Sequence, residues 1–105
     1  MASIAIHPGE HIQVELEELS MSSAELARRL EVPANRITQI VKGERDISAD
    51  TAMRLGHFFG TSAQFWLNLQ SMYDLRIEEA RSGSAIRLLP TLKKSSMHTA
   101  VRKLA

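Results

Sequence analysis

The 105-residue sequence contains no cysteine. That absence excludes disulfide staples and any metal site built on thiolates, so packing alone must hold the fold. It has no apolar run near the ~20 residues that a membrane-crossing helix requires. Residues Met1 to Pro8 show neither the basic region nor the long apolar stretch of a secretory leader. A cytoplasmic protein is therefore expected. Glycine is scarce at five residues and aromatic side chains make up 5%. With 44% hydrophobic and 24% charged residues, the chain suits one compact domain rather than a disordered tail protein. Large net charge is also lacking: the balance is +1, which alone says little about nucleic acid.

The charge that is present is unevenly spread. Residues 1–32 hold six glutamates (Glu10, Glu15, Glu17, Glu18, Glu25 and Glu31) against Arg28 and Arg29. Residues 82–105 hold five basic side chains (Arg87, Lys93, Lys94, Arg102 and Lys103) and no acid. Such asymmetry offers one surface to an anion and another to a basic partner.

Apolar periodicity and capping signals predict five helices. The first starts near Pro8, whose fixed φ and missing N–H suit a first turn, and places Ile12, Leu16 and Leu19 on one face. The second follows Ser22, with Glu25 placed to complete a capping box, and presents Leu26, Ala27 and Leu30. Glu31-Val32-Pro33 turns the chain into a third helix with Ile37, Ile40 and Val41, stopped by Gly43. Ser48 caps a fourth carrying Ala52, Leu55, Gly56 and Phe59, which Gly60 ends. Ser62 caps the longest, running to about Ala80, with Phe65, Trp66, Leu69, Met72, Tyr73 and Ile77 inside an arc of roughly 140°. After Arg81, Ser82-Gly83-Ser84 reads as a flexible joint and Ala85 to Leu89 as a short strand, paired with Ser3 to Ile6 or with its own copy in a second subunit. The expected organisation is a domain over residues 1–81 and a basic, mobile tail over 82–105.

The informative stretch is Ser23 to Lys42. Two helices cross steeply in a helix-turn-helix only if particular positions are apolar or small. Leu26, Leu30, Ile37 and Ile40 supply the apolar contacts, Ala27 is small where the second helix crosses, and Val32 plugs the corner. An ordinary helical hairpin needs similar apolar spacing but neither the small Ala27 nor the three-residue turn. The helix spanning Ala34 to Val41 is thus expected to enter a DNA major groove.

Ser22-Ser23-Ala24-Glu25-Leu26-Ala27, Val32-Pro33-Ala34-Asn35-Arg36-Ile37 and Ile40-Val41-Lys42-Gly43 resemble the phage-repressor-like helix-turn-helix family. The flanks narrow the likeness. His7-Pro8-Gly9-Glu10, Ile47-Ser48-Ala49-Asp50-Thr51-Ala52, and the run from Phe58 to Gln70 with Tyr73-Asp74-Leu75 resemble HigA-type antitoxins of bacterial toxin–antitoxin modules. The resemblance covers residues 7 to 79. It implies an all-α, five-helix repressor-like domain that dimerises, represses its own operon and neutralises a basic HigB-type toxin that cleaves messenger RNA. Three positions depart from the pattern: Glu31 stands where such turns usually carry glycine, Ser23 replaces a glutamine that often contacts phosphate, and Ala34 replaces a polar base-reading residue. Two other readings fit the same residues: a stand-alone repressor without a toxin, and a protein-binding module that has lost DNA binding through these departures.

With Ile37, Ile40 and Val41 turned inward, Ala34, Asn35, Arg36, Thr38 and Gln39 are the expected reading side. Asn35 and Gln39 stand four apart, and each carries the paired donor and acceptor that adenine matches in the major groove. Arg36 suits a guanine or a phosphate and Thr38 a phosphate or a methyl. Ser23, Lys42 and Arg45 suit backbone contacts that position without reading. Phe65, Trp66, Leu67, Leu69, Met72, Tyr73 and Leu75 exceed what one domain needs to bury on one helix, and are the expected dimer interface. The acidic first helix, through Glu15, Glu17 and Glu18, is the expected complement to a basic toxin.

No catalytic set competes. His7-Pro8-Gly9-Glu10-His11 matches the H-x-x-E-H pattern of inverted zinc proteases. That chemistry requires both histidines on one regular helical face and a third ligand. Proline and glycine separate them at a helix start, so the segment reads as a proline-started helix with Glu10 complementing its dipole. Neither a metal nor another cofactor is expected. Trp66 and its aromatic neighbours read as core rather than as a ligand cage.

Overall fold

The structure, a computed structural model, describes residues 4–92. It consists of five α-helices: α1 (Pro8–Leu19), α2 (Ser23–Leu30), α3 (Ala34–Val41), α4 (Ala49–Phe59) and α5 (Ala63–Arg87). No strand occurs among the described residues. The serines act as the sequence predicts. The hydroxyl oxygens of Ser22, Ser48 and Ser62 accept from the backbone N–H groups of Glu25, Thr51 and Phe65, satisfying donors that a helix start leaves unpaired. The capping box is only half formed. The Glu25 carboxylate turns away from the helix start to pair with Arg28 and Arg29, one turn further along α2.

One apolar cluster joins all five helices: Ile12 and Leu16 from α1, Leu26, Ala27 and Leu30 from α2, Ile37 and Ile40 from α3, Ala52 and Leu55 from α4, and Trp66 from α5. Ile47, in the loop between α3 and α4, completes it. Burying each large apolar side chain contributes ~1.5–3 kcal/mol of transfer free energy. Leu19 is the exception among the predicted core positions of α1. It is 49% exposed at the end of α1, because Ser20 turns the chain into the left-handed region directly after it.

Close approach, not turning, accounts for two glycines. A Cβ at Gly9 would overlap the carbonyl oxygen of Ile40, so only glycine lets the start of α1 lie against the back of α3. A Cβ at Gly56 would lie 2.9 Å from backbone atoms of Thr61 and Ala63, where α4 and α5 meet. The Gly9 contact fixes α3 from behind and leaves its other face open.

The strand expected over Ala85 to Leu89 is overturned. Helix α5 continues unbroken through Ser82, Gly83 and Ser84 to Arg87, with a turn after it. The reason is local. Glu78 holds Arg81 and Ser82 at 2.7 and 2.6 Å, and Glu79 reaches over Gly83 to Arg87 at 2.6 Å. Gly83 is buried beneath the Glu79 side chain, so the missing Cβ here makes room for an ion pair rather than breaking the helix. The expected mobile tail from Lys93 onward, and Ser3 as a strand partner, lie outside the described residues.

Candidate nucleic-acid interface

Helix α3 owes its two faces to sequence spacing. Ile37 and Ile40 are fully buried and Val41 packs against the core, so residues on the far side of the helix point outward. Asn35 and Lys42 are exposed there, and Gln39 lies between them, half-buried. Ala34, also exposed, opens the helix after Pro33, with no side chain capping the first turn. Thr38 stands at the edge of this face, its hydroxyl donating back to the carbonyl oxygen of Ala34 at 3.1 Å. Ser23 begins α2 and is half-buried.

Arg36 has a partner within the protein. Its Nη1 lies 2.7 Å from Oδ2 of Asp50, at the start of α4. Asp50 also takes Nε of Arg54 at 3.0 Å, while Nη1 of Arg54 donates to the carbonyl oxygen of Leu30 at 2.8 Å. Hydrogen bonding from Arg54, opposed by desolvation and reinforced by Arg36, holds the Asp50 carboxyl below the usual carboxylate range. Arg36 thus ties α3 to α4 rather than joining the outward row of Asn35, Gln39 and Lys42.

The turn between α2 and α3 places Glu31 at φ 60°, ψ 47°, the left-handed conformation that glycine normally fills. Its N–H still bonds to the carbonyl oxygens at the end of α2, and Val32 N–H reaches the Ala27 oxygen at 3.0 Å. The helix-turn-helix geometry therefore forms despite the strain, which costs ~1–2 kcal/mol for a non-glycine residue.

Beyond α3 the loop is tied at several points. Gly43 N–H bonds to the Ile40 oxygen at 2.9 Å and Glu44 N–H to the Gln39 oxygen at 2.8 Å. Ile47 N–H donates to Oε1 of Gln70 at 2.8 Å, and Nε2 of Gln70 donates to Asp74 at 2.9 Å. Arg45, between these anchors, donates from Nε to Oε1 of Gln39 at 2.8 Å. Gln70 was missed by sequence reasoning. Its signal was a polar residue one turn after Trp66, just beyond the edge of the apolar arc of α5. His7 was missed in the same way as a structural residue. Its Nδ1 accepts from Gly9 N–H at 2.9 Å and so caps α1, while its ring meets Tyr73 edge-on at 4.9 Å. Its Nε2 lies 3.8 Å from Asp46. Among the described residues, no cluster of three or more His, Cys, Asp or Glu side chains stands ready to hold a metal ion.

The residues assigned to a dimer interface divide. Trp66 is 2% exposed and donates from Nε1 to the Thr61 hydroxyl at 2.9 Å, so it belongs to the interior of one protomer. Leu67 and Leu69 pack on the same core, and Tyr73 is half-buried against His7. Phe65, Met72 and Leu75 remain outside, 43, 46 and 70% exposed. The acidic residues of α1 are all exposed. Glu15 lines a cleft of about 140 Å³ with His11, Phe59, Phe65 and Trp66, whereas Glu17 lines another with Ser22 and Ser23.

Comparison with known proteins accords with this geometry. A helix-turn-helix family model matches residues 12–66. Virulence-associated protein I of Dichelobacter nodosus is 45% identical over 87 residues, covering 82% of this chain and 81% of that protein. An addiction-module antidote protein of the HigA family from Coxiella burnetii is 47% identical, with a TM-score of 0.84 over 87% of this chain and 100% of that one. The chain belongs to the HigA-type helix-turn-helix antitoxins. Within that family, the antitoxin HigA of Pseudomonas aeruginosa has been solved with the higBA promoter. It is 48% identical, with a TM-score of 0.81 over 86% of this chain and 100% of that one. The all-α, five-helix architecture expected from the HigA-type resemblance is the one observed. No helix among the described residues is long and apolar enough to cross a membrane.

Proposed function

We propose that this chain is a cytoplasmic DNA-binding antitoxin that represses its own operon as a homodimer and neutralises a HigB-like ribonuclease, with no catalytic activity or cofactor of its own. The observation that carries the reading is the outward row of Asn35, Gln39 and Lys42 on a helix whose back is locked into the core. An amide, an amide and an ammonium group on one exposed helical face match base edges and phosphates of the major groove, not the apolar face that a partner helix would need. The P. aeruginosa relative with promoter DNA supports double-stranded operator DNA as the ligand. Ala34, Asn35, Thr38 and Gln39 would face bases, with Ser23, Lys42 and Arg45 toward the backbone.

Dimerisation rests on helix α5. Phe65, Met72, Leu75 and Ile86 are exposed and follow one another at seven, three and eleven residues, an interval pattern that keeps them on one seam of a helix. Two copies joined on that seam would set two recognition helices ~34 Å apart, in register with successive major grooves. Residues 1–81 would supply DNA binding and most of the dimer seam, which Ile86 carries into the basic 82–105 segment.

A band-shift with the DNA upstream of the chain's own gene tests the reading. A shift that survives competitor DNA and weakens markedly in Asn35→Ala supports it. No shift, or one insensitive to Asn35→Ala and Lys42→Ala alike, favours a protein-binding module without DNA binding. A shift with no small basic reading frame beside the gene leaves a stand-alone repressor.

A further inference from the structure

Arg45 is one of the basic side chains that flank α3, and it also touches that helix. Its Nε donates to Oε1 of Gln39 at 2.8 Å, across six residues and from outside the recognition helix. The contact is prepared by the backbone rather than by chance proximity. Gly43 N–H and Glu44 N–H tie the start of the loop to the end of α3, and Gln70 on α5 holds Ile47 at its far end. Ile47 itself is 4% exposed, so the loop is pinned to the core only two residues beyond Arg45.

The chemistry of the pair has a consequence for reading. A glutamine amide alone can turn over, exchanging its donor and acceptor ends. A guanidinium is donor-only, so the amide must present oxygen to Arg45. That choice turns the NH2 group of Gln39 away from Arg45 and leaves one lone pair on Oε1. With its orientation fixed, the amide retains one acceptor and its donors in a set order, the complement of the N6 donor and N7 acceptor of adenine. Freezing the amide before binding also removes a rotamer cost that an isolated glutamine incurs on contact.

We propose that Arg45 is a specificity-determining residue, which positions the Gln39 amide so that the two side chains read one base pair as a unit. This rests on α3 being the DNA-reading helix and goes beyond it by naming a reading element outside that helix. Arg45 acts through Gln39 and is a positioning residue. Its terminal amino groups, which have no partner among the described residues, remain able to meet a phosphate at the same time.

The test begins with the full chain and a pool of random DNA duplexes, from which bound sequences are enriched and a consensus duplex is built. Affinities for that duplex and all its single-pair variants are then measured at fixed salt for the wild type, Gln39→Ala, Arg45→Ala and the double variant. Wild type is expected to discriminate by about tenfold or more at the pair read by Gln39. Arg45→Ala should lose most of that preference at the same pair and keep it elsewhere, and the double variant should lose no more than Gln39→Ala alone. A uniform loss across all variants, with the preference intact and the salt slope reduced by about one, would make Arg45 a phosphate contact and overturn the proposal. Loss of preference at a different pair would make Arg45 an independent reader and overturn it equally. Failure of the wild type to enrich any sequence would instead remove the DNA-reading assignment of α3. Arg45 is exposed, and an unchanged far-ultraviolet dichroism spectrum establishes that its variant folds.

Discussion

Arg36 and Asp50 face each other between α3 and α4, with Nη1 2.7 Å from Oδ2, and Arg54 shares the same carboxylate oxygen at 3.0 Å. One carboxylate thereby orients two guanidinium groups, and one of those also closes the end of α2 through the Leu30 carbonyl oxygen. Helix α3 is thus tied directly to α4, and through Arg54 to the end of α2, by a charged network as well as by its buried isoleucines.

Asp50→Asn should disturb that network in a pH-dependent way. The Asp50 carboxyl is held below its ordinary range in the folded protein, chiefly by Arg54. A lowered folded-state value means stability that is present above the ordinary aspartate range and lost as pH falls through the lowered value. The melting temperature of Asp50→Asn should therefore fall below that of the wild type at neutral pH, and the two should converge in acid. Melting curves measured from neutral pH into the acid range check this. A difference that persists unchanged into acid would mean that the charge network is not what Asp50 contributes. The difference should be small, because the group is exposed and such pairs are screened.

Much of this architecture is legible in the sequence because its signals are local. Ser22, Ser48 and Ser62 mark three helix starts, and Gly43 and Gly60 mark two stops in the left-handed conformation. What was not legible depends on distant or competing partners. The pairing of Arg36 with Asp50, fourteen positions away, has no local signal. Ser82-Gly83-Ser84 carries the composition of a linker, yet Glu79 spans it to reach Arg87. Gln70 and His7 are polar side chains whose partners, the Ile47 and Gly9 amides, appear only once loops and helix starts are folded. The outward positions Asn35 and Gln39 were legible because helical periodicity alone assigns the inward ones. The link from Arg45 to Gln39 was not, since the path of the loop decides it.

Glu31→Gly should stabilise the protein. Glu31 holds a left-handed backbone conformation without a bonded role for its side chain among the described residues. Glycine removes a strain of ~1–2 kcal/mol and adds back part of that through greater freedom in the unfolded chain. A net gain of about 1 kcal/mol is expected in urea denaturation. A loss of stability would show that the side chain, not the backbone, governs the turn.

Met72→Glu and Leu75→Glu should each shift the protein from dimer to monomer without unfolding it. Both side chains are exposed on α5, away from Trp66 and the core, so a carboxylate there is harmless to a single protomer and costly in an apolar seam. Trp66→Ala should instead destabilise the protomer, by ~3–5 kcal/mol as for other buried aromatic truncations. Sedimentation equilibrium at micromolar concentration, paired with thermal melts, separates the two effects. A wild type that sediments only as a monomer would sink the α5 interface.

The acidic residues of α1 should not act alike toward a basic toxin. At 100° per residue, Glu15 and Glu18 lie about 60° apart on one side of the helix, while Glu17 lies roughly 100–160° away from them. The clefts agree: Glu15 borders Phe65 and His11, whereas Glu17 borders Ser22 and Ser23 at the start of α2, on the side proposed to meet phosphates. Reversing Glu15 and Glu18 to lysine should slow association with a co-purified HigB-like toxin, because rim charges chiefly set the encounter rate, and should leave operator affinity near the wild-type value. Glu17→Lys should do the opposite. It replaces a repulsive charge near the DNA backbone with an attractive one, so binding to any duplex should strengthen and the salt dependence should steepen. Stopped-flow association with the toxin and salt titrations of duplex binding measure both arms. If all three reversals slowed toxin association equally and none altered DNA binding, the division of α1 into a toxin side and a DNA side would be wrong.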